Sequence, residues 1–120
     1  MMTSDTGKTM SSKQRFLSLY LDNQREIERL DREIDLWRGR SVPEAYGIVK
    51  MLRGRLKDAA KLRFAIEQSI AGVSDKRLRL LLEYRYIDGM TWERIAELFN
   101  FDERWLLRLH KKALAQVEPR

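Results

Sequence analysis

The sequence predicts an all-α protein: an N-terminal antiparallel helical hairpin, then a C-terminal three-helix segment built as a helix-turn-helix. Three observations carry this. The composition is 43% hydrophobic and 35% charged with only two Pro and six Gly among 120 residues, a balance rich in Leu, Arg, Glu, Lys and Ala that favours helix over sheet. Apolar residues recur three and four apart through most of the chain. Capping residues and glycines then interrupt that period at short intervals, as helix ends require.

Residues 1–11, opening "MMTSDTGKTM", are polar and aperiodic and read as a disordered tail or a cloning remnant, with order beginning near Ser11 or Ser12. Residues 12–71 are assigned to the hairpin, a coiled-coil-like unit for interaction or oligomerisation. Phe16, Tyr20, Ile27, Leu30, Ile34 and Trp37 form a heptad seam, with Asn23 at its one polar step. Asn at such a position suits register setting in multimers, so a homo-oligomer through the N-terminal helices is an expected partner. Gly39 suits a helix end. Ser41 and Glu44 have capping-box spacing around Pro43, which starts a second helix with Ile48, Leu52, Leu56, Ala59, Ile66 and Ile70 on one face. Gly54 is expected to mark a close helix contact. Between Lys50 and Arg63 six cations face one acid, Asp58. They are read first as solvated charges and as pairs across the hairpin to Glu26, Glu28, Asp31, Glu33 and Asp35, and second as a further nucleic-acid surface.

"AGVS" at 71–74 breaks the period and marks the domain boundary. Residues 74–117 carry the remaining helices. The first runs from about Asp75 to Ile87, capped by Ser74 or Asp75 and ending at Gly89 in a left-handed conformation. Thr91 caps "WERIAELFN" and Asp102 caps "ERWLLRLHKKALAQV". Two helices joined by only Asn100 and Phe101 must cross steeply, with Ala96 at their approach and Ile95, Phe99, Phe101, Leu106 and Leu109 filling the angle. Ala113, Leu114 and Val117 extend this stripe. Glu103, Arg104, Leu107, Arg108, Lys111 and Lys112 are thereby left pointing outward.

A face with four cations and one acid on the second helix of such a motif fits the major groove of double-stranded DNA. Arg104 and Arg108, one turn apart, suit base edges, Glu103 suits a cytosine amino group, and Lys111 and Lys112 suit phosphates. Thr91, at a helix N-terminus, is a further phosphate site. The net charge of +6 and a pI near 9.8 agree with a polyanionic partner.

"YIDGMTWERIAELFNFDERWLLRLHKKAL" resembles the C-terminal DNA-binding region of bacterial sigma factors, region four. The shared features are Gly89-x-Thr91, Ile95-Ala96, Phe99 before the turn, the Asp102 cap and Ala113-Leu114. In length and layout the chain is similar to phage and prophage regulators of the ArpU and RinA type, which place such a domain after a helical N-terminal portion. The likeness covers about residues 75–117. It implies a transcriptional regulator whose base-reading positions fall at Glu103, Arg104, Leu107 and Arg108, with a backbone contact at Trp105 and RNA polymerase as a possible further partner. Two positions depart from the pattern: Glu103 stands where many sigma factors are basic, and Leu107 replaces a polar reader.

Other chemistries find less support. Cys is absent, which excludes disulfides, thiolate zinc sites and a cysteine nucleophile. His110 is the sole histidine and is expected at a solvent edge or on a phosphate, with no metal site. Trp37 and Trp92 are read as core or interface, and Trp105 as bordering the groove face. With no phosphate loop, no nucleophile elbow and no gathered carboxylates, the chain reads as a non-enzyme without cofactors. Lacking a transmembrane run or signal core, it is expected in the cytoplasm, at the nucleoid, away from membranes. A small terminase-like packaging protein and a purely protein-binding helical module are the alternatives.

Overall fold

A computed structural model describes residues 11–118; of the tail expected over residues 1–11, residues 1–10 lie outside them, and Ser11 instead caps the first helix. Among the described residues all regular structure is helical: α1 Ser12–Ser18, α2 Tyr20–Arg38, α3 Pro43–Ala71, α4 Lys76–Leu82, a π-helical turn Glu83–Ile87, α5 Trp92–Phe99 and α6 Glu103–Gln116. No described helix is long and apolar enough to cross a membrane. The molecule measures 58 × 37 × 25 Å, and its two longest helices, α2 and α3, pack against one another.

The seam closes within the chain. Tyr20, Ile27, Leu30 and Ile34 are buried on α2, against Ala45, Val49, Leu52, Ala59, Ile66 and Ile70 of α3. At the polar step Asn23 Nδ2 donates to the Ala59 carbonyl at 2.8 Å, so its hydrogen bond is made by α3 of the same chain. The distal half holds a small core of Leu30, Ile34, Val49 and Leu52, with Trp37, Ile48 and Leu56 against it.

Several local expectations are corrected. The first helix breaks at Leu19, where Ser18 Oγ donates to the Gln14 carbonyl at 2.7 Å and competes with the helical ladder. Leu17 on α1 is fully buried, a contribution of ~1.5–3 kcal/mol that outweighs a one-residue interruption of the helix. The Ser41/Glu44 capping box does not form: Val42 occupies the cap without a side-chain bond, Pro43 takes the first helical position, and Ser41 and Glu44 are exposed. Pro at that position already suits the missing donor. Gly54 faces open space, nothing lying within 4 Å of where its Cβ would stand. The cross-hairpin ion pairs are absent among the described residues. Asp22 pairs with Arg25, Glu26 and Glu33 with Arg29, and Asp35 with Arg38, each within α2.

The helix expected over 75–87 divides. Asp75 caps α4, its Oδ1 accepting from Leu78 N at 3.0 Å. One extra residue then widens the turn, so that Asp88 N reaches the Glu83 carbonyl at 2.9 Å. Gly89 follows at φ +69°, left-handed as its position requires.

The C-terminal helices share one core with residues of α1, α2 and α3. Leu17, Tyr20, Ile66, Ile70 and Val73 pack in a single cluster with Leu78, Leu81, Leu82, Tyr86, Ile95, Leu106, Leu109, Ala113 and Val117. The junction at 71–74 is thus a turn within this core, Val73 at its centre and fully buried.

His110 belongs to the same core, contrary to the solvent or phosphate role expected for it. It is 7% exposed. Tyr86 Oη lies 2.7 Å from its Nε2, and the Trp92 ring meets it edge-on at 4.7 Å between centroids. Burial, with the nearby Arg85 charge second, pushes the imidazole down to about 4, and burial raises the Tyr86 phenol to about 12. Both are therefore neutral near pH 7, and one hydrogen bond between them satisfies two otherwise costly polar groups. The position is in phase with Leu106, Leu109 and Ala113, which is why helix geometry carries it inward.

Three outcomes follow from these features. The unfolded chain, with its histidine near 6.5, binds this proton before the folded one does, so His110 costs no stability above about pH 6.5 and destabilises the fold as pH falls towards 4, by up to ~3 kcal/mol. Urea midpoints should show this as a gap between the parent and His110→Gln that narrows with acid; a gap constant with pH would remove the assignment. At the glycines, Gly89→Ala should lose about 1–2 kcal/mol, because its φ is positive and the new Cβ would stand 3.0 Å from Leu21 Cδ1. Gly54→Ala should instead gain ~0.5–1 kcal/mol of helix stability. The same denaturation series measures both.

Candidate nucleic-acid interface

The presentation of α6 is fixed by the turn before it. α5 ends at Asn100, whose φ of 58° and ψ of 43° are left-handed, a conformation Asn tolerates better than most residues. Phe101 N then returns to the Ala96 carbonyl at 3.1 Å, which sets the small residue at the approach of the helices. Asp102 Oδ1 accepts from Trp105 N at 2.8 Å and starts α6. Tyr84, Phe99, Phe101 and Trp105 stand edge to face in a row, centroids 6.1, 6.2 and 6.3 Å apart. This row ties the first turn of α6 to the π-helical turn.

Along α6, Leu106, Leu109, His110 and Ala113 are buried. The other side exposes Glu103, Arg104, Leu107, Arg108, Lys111 and Lys112. Leu107 is 50% and Trp105 43% exposed, so two apolar side chains lie among the cations. The Arg108 guanidinium stands 5.9 Å from the Trp105 ring centroid, which places Trp105 on the same surface. Arg104, Arg108, Lys111 and Lys112 make no ion pair among the described residues. Glu103 sits in the first turn, where a carboxylate also favours the helix dipole.

Thr91 is exposed, and its Oγ1 accepts from Arg94 N at 3.1 Å. The hydroxyl is engaged as a cap at the start of α5, on a different helix from the other candidates. Arg94 in turn pairs with Glu97 at 3.1 Å.

One contribution is invisible in the sequence. α1 lies beside α6, where Lys13 Nζ donates to the Ala115 carbonyl at 3.3 Å. Ser11, Lys13 and Gln14 face Leu107, Arg108, Lys111 and Leu114 across a groove of about 650 Å³. Lys13 thereby joins the cations of α6, and no local pattern reports a contact between residues so far apart in the chain.

Chemically, the surface offers guanidinium forks, ammonium groups and a partly exposed indole on one helix, with no acid among them beyond Glu103. It suits phosphate and base-edge recognition. No protein-family model, no curated protein and no solved structure matches this chain.

Proposed function

We propose that the chain is a sequence-specific double-stranded DNA-binding transcriptional regulator of phage or prophage type, a binding protein and not an enzyme. The carrying observation is the outward side of α6, where Arg104, Arg108, Lys111 and Lys112 stand exposed and without ion pairs among the described residues. A basic side left unpaired on a helix mounted by a tight turn supports major-groove entry. The resemblance to sigma region four and to ArpU- and RinA-type regulators points the same way.

In this reading Arg104 and Arg108 take guanine edges, Glu103 takes a cytosine amino group and Leu107 meets a thymine methyl. Lys111, Lys112 and the capped N-terminus at Thr91 hold phosphates, and Trp105 lies against the backbone. RNA polymerase and a second copy of the chain are the further partners proposed. A dimer would call for half-sites about 10 bp apart or a multiple of that.

Selection of bound duplexes from a random pool should yield a consensus. On that site Arg104→Ala and Arg108→Ala should each lose ~1–3 kcal/mol and relax specificity, whereas Lys111→Ala should weaken all sequences evenly and flatten the salt slope by about one. Losses equal across all sequences for all three variants would remove the groove assignment. Uniform, steeply salt-dependent binding would indicate a packaging or architectural protein instead.

A further inference from the structure

The cations of α3 form a second surface, separate from α6. Tyr46, Lys50, Arg53, Lys57, Lys61 and Phe64 follow one another at helical spacings of three and four, so they share one side of α3. All six are exposed. The buried residues of α3 lie on its other side, towards α2. Asp58, the single acid between Lys50 and Arg63, follows Lys57 directly and therefore points about 100° away. The acids of α2 that bond to arginines do so on α2 itself. Among the described residues none of the four cations has an ion pair.

The two ends of this row are aromatic. Tyr46 is 79% exposed and Phe64 62%, and at ~1.5 Å rise per residue they stand about 27 Å apart along the axis. Tyr46 and Arg53 also line a groove of about 340 Å³ with Trp37 and Arg40, where the Arg40 guanidinium lies 4.7 Å over the Trp37 ring. Charge alone would fit the outside of a duplex, but a duplex keeps its bases stacked inward and would leave both rings in water. A single strand offers phosphates to the cations and free base faces to the rings.

We propose that this side of α3 binds single-stranded nucleic acid, phosphates along Lys50, Arg53, Lys57 and Lys61, bases against Tyr46 and Phe64. The site does not rest on the groove assignment of α6. Its test is fluorescence anisotropy of the full chain with a labelled oligothymidylate of about twelve nucleotides, followed at several salt concentrations. Tyr46→Ala combined with Phe64→Ala should weaken that binding roughly tenfold or more, and leave selection among duplexes unchanged. Lys50→Gln combined with Lys57→Gln should flatten the salt slope by about 0.7 per cation removed. Every altered side chain is exposed, and helical circular dichroism verifies the fold. Unchanged oligothymidylate affinity in both variants overturns the proposal. So does a duplex of equal length binding this row more tightly than the single strand, or capture by phosphatidylserine vesicles without any binding of the oligonucleotide. Loss of duplex selectivity in the parent chain, with single-strand binding intact, would count against α6 alone.

Discussion

The one-sidedness of α6 governs the molecule. Leu106, Leu109, His110 and Ala113 are held inside, and on a stiff helix burial of one side dictates what the other must offer. The holding core is not made by the neighbouring helices alone. Leu17 and Tyr20 from the N-terminal helices and Ile66 and Ile70 from α3 complete it. Full burial of each large aliphatic side chain is worth ~1.5–3 kcal/mol, far more than any single surface ion pair at ~0.2–1 kcal/mol. Packing thus decides the orientation of α6, and the arginines and lysines are carried wherever it leaves them.

Charge is segregated in a way that such small surface energies permit. On α2 arginines alternate with acids and neutralise one another within a turn or so. On α3 and α6 the cations make no ion pair among the described residues, and each helix carries an excess of positive charge. Forgoing a few exposed pairs costs little stability. What remains is a positive field over these two helices.

Much of this was legible in the residues. Helical class, the helix end near Gly39, the caps at Asp75, Thr91 and Asp102 and the left-handed Gly89 all follow from local chemistry, and local chemistry is what a sequence displays. Periodicity also divided α6 correctly into Leu106, Leu109 and Ala113 inside and the basic residues outside. It failed for His110, where residue type outweighed phase: the ring is in step with its buried neighbours, and Tyr86, far away in the chain, makes its burial tolerable. The interruption at Leu19 had one faint mark, a serine inside a helix, while the placement of Lys13 beside α6 depends on long-range packing that no spacing encodes. The capping box at Ser41 failed for a different reason, since Pro43 alone was sufficient to begin α3.

Because the hydrophobic interior runs unbroken from α1 to Val117, the C-terminal portion is not a detachable module. Cut at Ser74, it would lose the floor beneath Leu81, Leu106 and Leu109 and bare a greasy underside to water. Moving α6 and its exposed cations onto another scaffold would mean bringing the N-terminal arm along, or rebuilding that floor from scratch.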